Sequence, residues 1–208
     1  MPRYRNPNVL ACSAFQLFLH DELRSRELER APEGARTVLH GGAAGRWSFD
    51  WFESCYPTEV ERHIGVEAFL PEPEDLADNV QWLPRTLGDL EPVGDGEVDL
   101  VYAGEVIEHL WPEDVVGFLL ESNRVLRRGG AVALDSPNRE VTGLAGWEHA
   151  EHTVEVTPQE IRDLLRLAGV DQVVVRGIWL AYDRAEGRVL ELETLEPEGE
   201  WTVDRRRE

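Results

Sequence analysis

Two short segments of this chain concentrate groups able to do acid–base or metal chemistry. Glu105-Val106-Ile107-Glu108-His109 sets two carboxylates three residues apart with an imidazole beside the second, and Trp147-Glu148-His149-Ala150-Glu151-His152 adds two more imidazoles. Glu105, Glu108 and His109 with one later histidine, His149 or His152, offer two carboxylates and two imidazoles, a donor set suited to Mg²⁺, Mn²⁺ or another borderline divalent ion. Without an ion, His109, His149 or His152 would act as a general base, because imidazole titrates close to neutrality. Purely structural roles, capping and hydrogen bonding, are the remaining reading. Three further positions suit a nucleoside-type ligand. The turn Gly41-Gly42-Ala43-Ala44-Gly45 lets a backbone come close to a bound group. Glu67, about twenty residues on, can accept both hydrogen bonds of a ribose diol or stand as an ordinary strand-end carboxylate. Asp89 can meet an adenine amino group or simply occupy a turn.

These residues need elements to hold them, and the apolar pattern supplies them. Thr37–His40, His63–Glu67, Asn79–Leu83, Val98–Ala103 and Ala131–Asp135 are short apolar runs bounded by turn residues, the signature of buried strands. Val173–Val175 and Val189–Leu192 read the same way. Helices are predicted between them. Trp47–Tyr56 stops at Pro57, and a helix opening at Pro112-Glu113-Asp114 runs to the Arg127-Arg128-Gly129-Gly130 corner. A third opens on Thr157-Pro158-Gln159-Glu160, with Thr157 as N-cap and Glu160 at the capping-box position, and closes at Ala168-Gly169. The segment between Asp135 and Thr157 reads as a polar loop. Residues 1–35 read as a helical lead-in, with Phe15, Phe18 and Leu19 on one face and a mostly solvated charged stretch over 22–28. Strands alternating with helices mean a parallel sheet covered on both faces, with ligands beyond the carboxyl ends of the strands.

Composition narrows the function classes. The 208 residues carry 41 Asp+Glu against 21 Lys+Arg, a formal net charge of −20, and every basic residue is Arg. That surplus of acid opposes a free-standing nucleic-acid binder, which needs clustered cations, and the one run of them is Arg205–Arg207. No apolar stretch approaches the roughly 18 residues of a membrane span, and no signal-peptide core precedes Gln16. Cys12 and Cys55 suggest neither a disulfide framework nor a zinc site, so a reduced cytoplasmic location is expected. Trp111 and Trp147 flank the Glu-His groups and would line an acceptor pocket or pack locally.

The ordered set of glycine-bearing turn, Glu67, Gly88-Asp89 and Val98-Asp99-Leu100-Val101 resembles the class I S-adenosylmethionine-dependent methyltransferases. The stretch Glu105–Leu110, then Glu121-Ser122-Asn123-Arg124-Val125-Leu126-Arg127-Arg128-Gly129-Gly130 and Ala131–Asp135, is similar to that family's fourth strand, following helix and glycine corner. Leu164–Val170 matches its later helix end. The resemblance covers about residues 36–180. It implies an α/β Rossmann-like fold, a mostly parallel seven-stranded sheet with helices on both faces. It would form a single domain over 36–195, with residues 1–35 as the lead-in and 196–208 as a flexible charged tail. It implies S-adenosylmethionine as cofactor, against Gly41, Gly42, Ala44, Glu67, Asp89 and Gly104. One departure is plain: His40 stands where the family has an acid, and Ala44 and Arg46 stand where it has glycines, with Arg46 placing a cation near the donor. The Glu-x-x-Glu-His group with its later His resembles the metal site of small-RNA 2′-O-methyltransferases, implying Glu105, Glu108, His109 and His152 as ligands of Mg²⁺ or Mn²⁺ and His149 as a nearby contact. The function so implied is O-methylation of a small-molecule hydroxyl. The alternatives are a non-catalytic partner subunit and a metal-dependent RNA ribose methyltransferase.

Overall fold

The structure is a computed structural model that describes residues 23–145, 149–177, 182–183 and 188–189. Strands β1 (Thr37–Gly41), β2 (Arg62–Val66), β3 (Val80–Leu83), β4 (Val98–Gly104) and β5 (Leu126–Asp135) form one sheet in the order β3-β2-β1-β4-β5. All its pairings are parallel. The register levels their carboxyl ends: Gly41 stands opposite Val66 and Ala103, Val66 opposite Leu83, and Gly104 opposite Asp135. The chain winds outward from β1 to β3 and then restarts on the other side of β1 with β4. That reversal opens a crevice at the carboxyl edge between β1 and β4.

Alternation along the strands separates two cores. Leu39, Ile64, Val101, Phe118, Leu119, Ile161 and Leu165 pack on the face covered by α3 (Pro112–Val125) and α5 (Pro158–Leu167). Val38, Leu100, Tyr102, Leu28, Phe52 and Tyr56 pack on the other, under α1 (23–29) and α2 (Arg46–Cys55). Neighbours such as Val38 and Leu39 point to opposite faces because the strand period is two. The carboxylate of Asp99 fixes the entry to β1, accepting from the amides of Arg36 and Thr37 at 2.8 Å each.

Several boundaries differ from expectation. Among the described residues the main sheet has five strands, and Tyr182–Asp183 and Arg188–Val189 form a separate antiparallel pair, where seven strands in one sheet were expected. Val173–Val175 takes no strand partner among the described residues, and Val174 is 75% exposed; an apolar run becomes a strand only where a neighbour completes its ladder. Residues 190–192 lie outside the described residues, as do Phe15, Phe18 and Leu19. Helix α3 stops at Val125, short of the glycine corner, and residues 127–130 stand opposite Asp99 alone as a bulge at the start of β5, with Gly129 at φ 82°. The predicted polar loop contains helix α4 (Arg139–Ala145), whose amphipathic signal is only two turns long. Helix α1 is not mostly solvated: Ser25 and Leu28 are buried, and Arg24 reaches across the sheet edge.

The capping box at α5 forms as the residues dictate, with Thr157 Oγ1 accepting from the Glu160 amide at 3.2 Å and Glu160 accepting from the Thr157 amide at 2.8 Å. Thr157→Ala should therefore cost about 1 kcal/mol. Urea denaturation would show it as a lower midpoint, and an unchanged midpoint would mean that the box is idle.

Candidate functional site

The turn after β1 is tight because its glycines admit neighbours. A Cβ at Gly41 would lie 2.8 Å from Leu87 Cδ2, and one at Gly42 would lie 2.5 Å from Val106 Cγ2. Gly42 also sits at φ 69°, and its amide donates to the Val66 carbonyl at 2.9 Å. The two glycines thus seat the turn against the β3–β4 connection and the Glu105–His109 segment. Ala44 is exposed at the mouth of the turn. No side chain caps the following helix, α2, at Gly45. Arg46 does not face the crevice: it donates to the Asp75 carbonyl at 2.7 Å and pairs with Asp50. His40, where the family has an acid, is buried in an aromatic cluster with His63, Phe49, Phe52 and Tyr102.

Glu67 leaves β2 at the carboxyl edge, next to this turn. Its Oε1 accepts from the amides of Phe69 (2.6 Å) and Leu70 (3.2 Å), and its other oxygen has no partner among the described residues. Asp89 instead pairs with Arg85 at 2.8 Å on the flank where the Leu90 amide meets Glu121 of α3 at 3.0 Å. No described contact joins it to the Gly41–Glu67 set.

Gly104 ends β4, and Glu105 turns the chain with φ 55°, a left-handed conformation that few side chains adopt. Its amide is held by both Oδ1 (3.0 Å) and the carbonyl (3.2 Å) of Asp135 at the end of β5. A 3-10 turn, Ile107–His109, then presents Glu108 and His109. The second Glu-His segment docks on this turn: the Thr153 amide donates to the Glu108 carbonyl at 2.8 Å, and the Thr153 hydroxyl donates to the Leu110 carbonyl.

Glu108, His109 and His152 converge, one ligand atom from each lying within 4.8 Å of the others. Glu105 stands outside this trio, although its charge acts on Glu108. His152 Nδ1 bonds Glu155 Oε1 at 2.7 Å, and His109 Nδ1 bonds the Glu151 carbonyl at 3.2 Å, so each ring has its Nδ1 side engaged and its tautomer set. The His149 ring stacks on His152 at 4.4 Å. Glu108 is fully buried, and neither carboxylate oxygen meets a donor in good hydrogen-bond geometry among the described residues, although Ser136 and its own backbone lie near enough to favour its ionised form. Burial and, next, the Glu105 charge push its carboxyl up to about 8. A poorly satisfied buried carboxylate between two oriented imidazoles fits a divalent cation, which would neutralise a group that is otherwise costly to ionise. A cavity of about 420 Å³ opens beside the trio, lined by Thr142, Gly143, His149, His152, Thr153 and Glu155 among others. Trp111 is largely exposed and absent from that lining, and Trp147 lies outside the described residues.

Sequence reasoning overlooked Asp135, Tyr102 and Arg24. Asp135 ends a strand at the same edge as Glu67, and the rule that singles out one singles out the other. Glu155 follows His152 by three residues, a spacing that puts a carboxylate within reach of an imidazole.

A doubly wound sheet with a glycine turn, a strand-end acid and a polar cavity all at its carboxyl edge is the frame of a nucleoside-cofactor protein. Residues 59–134 match the family described as "Methyltransferase domain". A curated Mycobacterium tuberculosis protein named "Probable S-adenosylmethionine-dependent methyltransferase" is 31% identical over 148 residues, 70% of this chain and 52% of that protein. A Mycolicibacterium smegmatis protein with the same opening name is 37% identical over 98 residues, 46% of this chain and 37% of its own. This chain thus spans about half the length, or less, of the curated relatives it matches. Among solved structures, an S-adenosylmethionine-dependent methyltransferase from Archaeoglobus fulgidus superposes with TM-score 0.55 at 24% identity, covering 76% of this chain and 74% of that one. A chain of the complex between the Haloferax volcanii Trm112 methyltransferase activator and a methyltransferase superposes with TM-score 0.58 at 19% identity, covering 74% and 69%. The matched model and the curated relatives identify residues 59–134 as a methyltransferase domain of the S-adenosylmethionine-dependent kind.

Proposed function

We propose that this chain methylates a hydroxyl of a small molecule, using S-adenosylmethionine and a divalent cation such as Mn²⁺. The observation that carries the proposal is the convergence of Glu108, His109 and His152 beside a cavity at the same sheet edge as Glu67. When bound, the donor supplies an electrophilic methyl group, which an acceptor oxygen takes as the C–S bond breaks and its electron pair stays on sulfur. Glu67 would hold the ribose diol on its remaining oxygen, and the Gly41–Gly45 turn, Ala44 included, would face the donor's backbone-binding side. Gly104 would border its methionine end, with Asp89 farther out on the adenine flank. Glu108, His109 and His152 would hold the cation, with Glu105 an outer carboxylate, and the cation would ease ionisation of the acceptor hydroxyl. His149, whose ring burial and the neighbouring His152 make it less basic than an ordinary imidazole, would take the released proton. The acidic surplus and the cavity volume favour a small acceptor over RNA. No helix of the described residues is long and apolar enough to cross a membrane.

Calorimetry with S-adenosylhomocysteine should give micromolar binding, weakened about tenfold in Glu67→Ala. Titration with Mn²⁺ should show one saturable site that Glu108→Ala removes. Absence of nucleoside binding sinks the donor assignment, and absence of the Mn²⁺ site leaves a histidine base acting alone.

A further inference from the structure

Among the described residues, the guanidinium of Arg24 is the one part of the lead-in helix that enters the sheet edge as a charge, and it lands in a formed receptor. Its Nε donates to Asp135 Oδ2 at 3.2 Å, its Nη2 donates to the Tyr102 hydroxyl at 2.9 Å, and its carbon centre lies 5.2 Å from the Trp51 ring centroid. The floor is Gly104, the residue assigned above to the donor's methionine end, so the box and the donor site share a wall; any Cβ there would collide with Arg24 Nη2 and the Tyr102 hydroxyl. An aromatic face, a phenol, a carboxylate and a glycine floor, drawn from α2, β4 and β5, together form a box for a compact organic cation. The box adjoins Glu105, whose charge also acts on Arg24, and so it stands next to the segment that carries Glu108 and His109.

We propose that the Trp51–Tyr102–Asp135 box is the subsite for a protonated amine or guanidine group of the methyl acceptor, and that Arg24 holds that group's place in this structure. The acceptor class is then a hydroxyl-bearing organic cation. This rests on the reading of the site as a hydroxyl methyltransferase. Two features favour exchange of occupants. The partly buried Arg24–Asp135 pair sets its attraction against the desolvation of both charges, so replacing one cation by another in the same box changes the energy little. The chain's charge of −20 also draws cations, rather than anions, towards it.

The test is chemical rescue, and it needs neither methyl donor nor turnover. Arg24→Ala should lower the thermal midpoint, and low-millimolar methylguanidinium should restore it saturably, binding about tenfold or more tighter than to the unaltered chain. Asp135→Asn or Trp51→Leu in the Arg24→Ala background should abolish the rescue, and ethylammonium should rescue less well than the planar ion. Arg24→Met, which keeps the side-chain stem, serves if Arg24→Ala does not fold. No saturable rescue in either variant, or rescue that survives Asp135→Asn, overturns the proposal. Competition between S-adenosylhomocysteine and methylguanidinium for the same space would assign the box to the donor's ammonium group and also overturn it. Nucleoside binding by the unaltered chain tests the donor reading separately, so the two can fail independently.

Discussion

Gly42→Val should cost this fold about 2–6 kcal/mol, a large share of the roughly 5–15 kcal/mol that a domain has in total. Two separate penalties add. The residue sits at φ 69°, where a β-branched side chain is strained by about 1–3 kcal/mol. Its Cβ would also arrive 2.5 Å from Val106 Cγ2, an overpacking that costs about another 1–3 kcal/mol. The denaturation midpoint should fall accordingly, and adding Val106→Ala should recover only the steric part. A shift of less than about 0.5 kcal/mol would show that the turn relaxes freely, contrary to this packing. The site should feel the change as well, because Val106 lies on the segment that delivers Glu108 and His109.

The second large effect is a stability optimum near pH 6.5 in chelator-treated protein. Burial, then His63 and Arg24, keep His40 well below the ordinary imidazole range, and burial takes His63 down to about 4 against the opposing pull of Glu53. The unfolded chain therefore takes up two protons around 6.5 that the folded chain refuses. Glu108 acts in the opposite sense, since its folded carboxyl keeps a proton up to about 8 that the unfolded carboxyl releases near 4.5. Between about pH 4.5 and 6.5 the unfolded state thus holds one net proton more, and stability drops on acidification by about 1.4 kcal/mol per unit. His149, also lowered, adds in the same sense. From about 6.5 to 8 the folded state holds one more, and stability drops on alkalinisation by the same slope. Glu108→Gln should flatten the alkaline limb and double the acid one. Denaturation series across this window would reveal it, and an alkaline limb that persists in Glu108→Gln would assign that limb to another group.

The parallel sheet could be read from the chain because each strand is a short apolar run between turn residues, and a strand buried on both faces admits little else. The capping box of α5 was legible for a similar reason, since Thr157, Pro158 and Glu160 each act locally. The two Glu-His segments were legible as chemistry, and the topology made them neighbours: β4 and β5 pair in parallel, so the segments leaving both strands emerge at one edge. The features that escaped notice depend on distance. Arg24 and Asp135 are 111 residues apart, and nothing in an exposed-looking charged helix announces that one of its cations will turn inward and become partly buried. The β5 bulge was missed because Arg127-Arg128-Gly129-Gly130 suits a helix end as well as a kinked strand, and pairing with β4 decides between them. The glycines of the first turn suggest bare backbone for a ligand, yet Leu87 and Val106, far along the chain, are the side chains that fill the space beside them.

Thr153 has a consequence for how anything leaves this cleft. Its amide and hydroxyl are spent on carbonyls of the Glu108–Leu110 segment, so the two imidazole carriers cannot part without stripping those carbonyls of their donors. If Glu108, His109 and His152 held a cation, water would reach it from the side of solvent-facing His109 rather than through a yawning jaw. That flank behaves as an anvil, and accommodation of bulkier guests falls to the opposite side, where residues 23–29 rest on the sheet.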